Sequence, residues 1–282
     1  MSQHIEAAGQ VRDAVGAKRG EKRAATAIAL TLGAIAAFLV VVGVFWTGPL
    51  GSDDTLYWQA SSGWLRHFPY LGNSHWALRH TLVIPLALSR LALGDGLLAL
   101  VLPTLIAALA LIAVLVLWTW RVSDAWATIL AIALLVTNPL LVVLSSTAWI
   151  DPIEILFVFA GFALIASAMD NGASWPPLLS AGVLAGLALM SRETTVFSLV
   201  AVGLLFLAGY GMERRWYLVI GLGFVAVAGG EALLYWAITG DPVYRANIAV
   251  HHDSTINRWI AQGSGTPILH PLIDPVIMLL LS

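Results

Sequence analysis

The chain has 282 residues, 59% of them hydrophobic and 11% charged, with a mean hydropathy of +0.87. Soluble domains carry roughly 25% charged residues, so this composition excludes a soluble protein and describes an integral membrane one. Fourteen Lys and Arg against 16 Asp and Glu give a net charge of −2, which argues against nucleic acid as a partner; the lack of cysteine excludes disulfides, thiolate metal sites and cysteine nucleophiles.

Residues 1–23 are polar and end in Lys18, Arg19, Lys22 and Arg23, and an apolar run follows from Ala24 to Trp46. About 20 residues cross the hydrocarbon core. The run is longer than the apolar region of a signal peptide, and no small-x-small site precedes Thr47, so a retained first helix is favoured over a cleaved leader. The basic cluster predicts a cytoplasmic tail over 1–23 and a transmembrane module over 24–282.

A polar, aromatic stretch covers 47–80. Apolar runs then fall at 81–93, 97–119, 126–147, 152–168, 178–190, 195–210 and 216–239, followed by a polar segment over 240–272. A further run opens near Ile273 and resembles a helix cut short. Thirteen residues over 81–93 extend about 20 Å, short of the ~30 Å core, and are expected to lie at the interface. Parity then places Arg121, Arg214 and Arg215 with the N-terminal cluster in the cytoplasm, as the positive-inside rule requires. The predicted fold is all-α: a polytopic transmembrane helical bundle with an amphipathic external loop between its first two full spans.

The same parity gathers Asp53, Asp54, Arg79, Asp151, Glu154, Arg192, Glu193, Asp241, His251 and His252 at the external face. Charges beside membrane spans are costly and read first as functional. Each has a plain alternative. Ser52 suits an N-cap, with Asp53 and Asp54 complementing a helix dipole; the functional reading is a carboxylate base for an acceptor hydroxyl. Arg79 suits a bidentate phosphate contact or snorkelling toward head groups. Asp151-Pro152 is a helix start, and Glu154 shares its face. Ser191-Arg192-Glu193-Thr194 reads as a turn or a cavity wall, and Glu231 needs a partner within its apolar span. His67, His75 and His80 lack metal-ligand spacing, and His251-His252-Asp253 reads as a solvated loop.

Taken in order, the chain resembles membrane glycosyltransferases of the GT-C type, in particular the protein-mannosyltransferase-like and aminoarabinose-transferase-like group of family 39. The resemblance rests on Asp53-Asp54-x-x-Tyr57, His75-Trp76-x-x-Arg79, Asn138-Pro139 and Asp151-x-x-Glu154. It continues through Ala181-Gly182-Val-Leu-Ala-Gly186 to Ser191-Arg192-Glu193-Thr194, and through Thr239-Gly240-Asp241-Pro242-x-Tyr244-Arg245.

The resemblance implies transfer of a sugar from a polyprenyl-phosphate-linked donor to a lipid, glycan or protein acceptor, with inversion. It implies Asp53 as the base, with Asp54 and Asp151 as the accompanying acids. Arg79 and Arg192 would meet the donor phosphate, and Tyr57, Glu154 and Glu193 would line the cavity. The site would face the periplasm or exterior of an inner membrane. Apart from the resemblance, hard cations favour carboxylate oxygens, which makes Asp53 and Asp151 a candidate place for a divalent cation, Mg or Mn, with no cofactor firmly expected. Leu56 stands where some relatives carry Arg, and relatives continue past residue 282, so a fragment or a reduced module is expected. A transporter and a non-catalytic membrane partner are the alternatives. Transporters bind near the midplane and often show inverted repeats, whereas these charges gather at one face and no halves match.

Overall fold

A computed structural model describes residues 2–249, with side chains from residue 21 onward. His251, His252, Asp253 and the run near Ile273 lie outside the described residues. The described chain is an all-α polytopic bundle without strands. In order its helices are α1 (Ser2–Val44), α2 (Asp53–Arg66), α3 (His80–Leu93), α4 (Leu97–Val122), α5 (Ala125–Val136) and α6 (Pro139–Ser145). They continue with α7 (Asp151–Asn171), α8 (Trp175–Ser191), a 3₁₀ turn at Glu193–Thr195, α9 (Val196–Ala208) and α10 (Arg214–Thr239). A last helical segment covers 244–249.

Four stretches are long and apolar enough to cross a membrane: Glu21–Val44, Leu97–Val122, Asp151–Asn171 and Arg214–Thr239. Their outer faces carry leucine, isoleucine and valine, among them Leu32, Val40, Leu218 and Leu222, all more than half exposed. In water such faces would be costly; in lipid they are the solvated surface.

The expected single span over 126–147 is two helices, α5 and α6, bent by 56°. The break has a local cause. Asn138 caps α6 by accepting from the Leu141 amide at 3.0 Å, and Pro139 takes the first helical position, where its missing N–H costs nothing. The expected spans over 178–190 and 195–210 appear as α8 and α9, with 17 and 13 residues. At 1.5 Å per residue these reach only about 26 and 20 Å.

Contacts divide the bundle into two ends. At one, Arg23 Nη2 donates to the Trp120 carbonyl and Trp120 Nε1 donates to the Arg23 carbonyl, so α1 and α4 are antiparallel; Arg121 donates to Ser167 nearby. At the other, Thr47 meets Ser146 at 2.6 Å, and Thr104 near the start of α4 bonds the Trp149 backbone. Since α1 ends and α4 begins at the same end, α2 and α3 make no net crossing. They lie side by side in opposite directions: His80 packs edge-on against Trp64, while Arg90 stacks over Trp58 at 3.8 Å and donates to the Trp58 carbonyl, Ser61 and Ser62.

The closest helix packing joins α8 and α10. A Cβ on Gly182 would lie 2.0 Å from the Ile220 carbonyl oxygen, one on Gly186 would lie 2.6 Å from Val227 Cβ, and one on Gly223 would lie 2.3 Å from the Leu179 carbonyl oxygen. Small residues four apart let membrane helices approach backbone to backbone, where dispersion replaces the missing hydrophobic drive. In this parallel register the end of α8 falls level with Glu231 of α10.

Candidate active site

The turn into α2 is built by Asp54. Its carboxylate is buried and accepts from the backbone amides of Leu50, Gly51, Ser52 and Thr55 at 2.7, 3.3, 2.7 and 2.9 Å, and from the Thr147 hydroxyl at 3.2 Å. Burial raises its pKa, but the backbone hydrogen bonds outweigh burial and hold the carboxyl below its usual range. The Ser52 side chain makes no cap bond; Asp54 instead takes the Thr55 amide of the first turn and three amides of the preceding loop. Five donors therefore engage the two oxygens of Asp54.

Asp53, one position earlier, is only partly buried, and its carboxylate has no hydrogen-bond or ion-pair partner among the described residues. Its charge acts on the Tyr57 hydroxyl one helical turn on, as do those of Asp151 and Arg79. Burial pushes the Tyr57 hydroxyl up to about 12 against the opposing pull of Arg79, so Tyr57 stays a neutral phenol.

Arg79 directly precedes α3 and is 8% exposed. Its Nη1 donates to the Tyr57 oxygen, and its Nε is buried without an acceptor. No carboxylate pairs with it among the described residues. A buried guanidinium normally has such a partner, because an unpaired buried charge is expensive.

The facing wall comes from α7 and the turn after α8. Asp151, in the first turn of α7, takes a 2.7 Å bond from Arg192 Nη1, and Glu154 lies 3.9 Å from the same nitrogen. Thr195 donates to Glu154 at 2.7 Å, and the Thr81 and Ser191 hydroxyls meet at 2.8 Å. Arg192 thus contacts the acids first and remains 42% exposed at its side chain.

A second network lies against this wall and was not read as a unit from the sequence. Glu231 of α10 accepts from Tyr235 at 2.7 Å and Arg245 at 3.2 Å, with His80 Nδ1 3.6 Å away. Arg245 also donates to Glu193 at 2.8 Å and the Met190 carbonyl at 2.7 Å. The signals were a lone Glu in an apolar run and an Arg just past Gly240-Asp241-Pro242, 14 positions on. His80 joins this network rather than a histidine cluster.

Among the described residues no group of three or more His, Asp or Glu side chains is placed to hold a metal ion. Asp54 is engaged by amides, and one oxygen of Asp151 takes the Arg192 hydrogen bond.

The family model described as dolichyl-phosphate-mannose-protein mannosyltransferase matches residues 80–236, more than half of the chain. The match includes Asp151, Glu154, Arg192, Glu193 and Glu231, and begins just after Arg79. No curated protein and no solved structure matches the chain. With its multi-pass helical bundle and its charged site at one end, the chain belongs to the dolichyl-phosphate-mannose-protein mannosyltransferase family, a group of membrane glycosyltransferases of the GT-C type.

Proposed function

We propose that the protein transfers a sugar from a polyprenyl-phosphate-linked donor to an acceptor hydroxyl, inverting the anomeric centre. The observation that carries this reading is the pairing of opposites at α2: a free carboxylate, Asp53, near a buried guanidinium, Arg79, that has no carboxylate partner. An anionic leaving group would supply what Arg79 lacks.

In the reaction so drawn, the Asp53 carboxylate takes the proton of the acceptor hydroxyl as its oxygen attacks the anomeric carbon. The new carbon–oxygen bond forms while the bond to the phosphate oxygen breaks, and the electron pair leaves on polyprenyl phosphate. A single displacement inverts the centre. Arg79 holds the phosphate, with positive charge aimed where negative charge develops. Arg192 adds a second, more exposed cation from the opposite wall. Asp151 and Glu154 orient Arg192, and Tyr57 orients Arg79. Asp54 shapes the turn that presents Asp53 and takes no part in proton transfer. Glu193 belongs to the cavity edge.

The acceptor is a lipid, glycan or protein hydroxyl reached from the external face of an inner membrane, with the N-terminus in the cytoplasm. The arginines at the opposite end support this orientation through the positive-inside rule. The test uses the purified full chain in lipid nanodiscs with a series of polyprenyl-phosphate-linked sugars and candidate acceptors. The expected result is release of polyprenyl phosphate with a product of inverted configuration. Absence of release from every donor, in a correctly folded preparation, would contradict the reading.

A further inference from the structure

Arg245 sits in the helical segment 244–249, six residues after α10 ends, yet only 8% of it is exposed. It touches three separate parts of the fold. Nε donates to Glu193 at 2.8 Å, while Nη1 donates to the Met190 carbonyl at 2.7 Å and to Glu231 at 3.2 Å. Burial lowers its pKa, but the charges of Glu193 and Glu231 outweigh this and keep the guanidinium protonated. Met190 lies in the last turn of α8, where carbonyls lack an intrahelical donor. The neighbouring Tyr244 hydroxyl donates to the Gly72 carbonyl at 3.3 Å, anchoring the same segment to the loop between α2 and α3.

The residue between Met190–Ser191 and Glu193 is Arg192. Its backbone amide bonds the Ala188 carbonyl at 3.0 Å, and its side chain bonds Asp151 at 2.7 Å. A chain of contacts therefore runs from Glu231 through Arg245 to both sides of Arg192, and from Arg192 to Asp151 and Glu154.

We propose that Arg245 is a positioning residue: it clamps the α8–3₁₀ turn onto α10 and thereby holds Arg192 against the Asp151–Glu154 wall. Its consequence for turnover rests on the glycosyltransferase reading above; the clamp itself does not. Arginine is required because the planar fork serves Glu193 along one edge while its Nη1 reaches the carbonyl and Glu231. Lysine can meet one of these partners well but not all.

The experiment follows amide exchange and donor kinetics together in the full chain. Arg245→Ala is expected to speed exchange over residues 188–195 at least tenfold while leaving residues 97–122 unchanged. It should lower kcat at least tenfold and shift the donor KM less than twofold, since Arg79 still binds the phosphate. Arg245→Lys should fall between. Unchanged exchange over 188–195 in folded Arg245→Ala, or an undiminished kcat, would overturn the proposal. Should Arg245→Ala fail to fold, Arg245→Lys decides alone: exchange over 188–195 must rise above wild type, and wild-type exchange and kcat together overturn it. If the native chain transfers no sugar, the proposed function fails, and the exchange measurement still decides whether the clamp exists.

Discussion

Arg79 gives its Nη1 hydrogen to the Tyr57 oxygen and to no carboxylate among the described residues, although it is 8% exposed. A neutral phenol orients the guanidinium, whose charge acts on Glu193 without a direct ion pair. In the proposed reaction Arg79 meets the donor's phosphate, and the acids around it fall into two groups. Asp54 and Asp151 are engaged by protein donors, whereas Asp53 is not.

Arg79→Ala is predicted to lower kcat/KM for the donor by about 100-fold or more, the range for losing one preorganised donor to a developing anion. Arg79→Lys should recover part of it, because lysine keeps the charge and loses the fork. Steady-state transfer kinetics are the check. Equal donor kinetics for wild type and Arg79→Ala would return this arginine to a snorkelling role.

Asp54 has a different signature. Asn in its place keeps one acceptor oxygen for amides that now share two, so Asp54→Asn should destabilise the 47–56 turn by about 2–3 kcal/mol. The pH dependence follows from its depressed pKa. Its stabilisation is present above the unfolded value of about 3.9 and is lost as pH falls through the lower folded value. Hydrogen exchange over 47–56 should rise in wild type only below about pH 4, and Asp54→Asn should show no such acid step. A turn equally protected in both proteins would refute this.

The α8–α10 contact predicts opposite outcomes for two glycines in the membrane. Gly182→Ala places a methyl 2.0 Å from the Ile220 carbonyl oxygen and should cost about 1–3 kcal/mol as an overpacked site. Gly221→Ala meets nothing within 4 Å and should be neutral or stabilising by about 0.5–1 kcal/mol, since Gly is a poor helix residue. Thermal unfolding in detergent separates them. A stable Gly182→Ala would mean the helices do not approach this closely.

The topology is open to labelling, because the native chain has no cysteine. Single cysteines at 74 and 214 should react from outside and from the cytoplasm respectively. Strong external labelling at 214 would reverse the orientation.

Much of this was legible in composition and pattern: the membrane class, the long spans and the division of charges between two ends. The break at Asn138-Pro139 was not, because long apolar stretches flank it on both sides, although the dipeptide itself is turn chemistry. The short reach of α9 was hidden in the same way, since an apolar run records composition and not where the helix starts. The glycines of α8 were visible, but their partner Gly223 lies 37 or 41 positions away in a different helix. At the site, spacing placed Asp53 and Tyr57 one turn apart. It carried no sign that Asp54 would fold back onto the amides of 50–52, a choice set by loop conformation and by Thr147 from a distant segment. Glu231 needed a partner, and only the tertiary fold identifies Arg245.

The most direct measurement is sugar transfer by Asp53→Asn beside wild type and Asp54→Asn, in the full chain with matched expression and membrane insertion. Asn keeps the size of the side chain and removes the base, and Asp53 has no protein partner to lose among the described residues. The account predicts that Asp53→Asn folds as well as wild type and loses turnover by at least about 100-fold, the lower range for a general base. Asp54→Asn should be less stable and retain measurable turnover. Robust transfer by Asp53→Asn would contradict the assignment of the base.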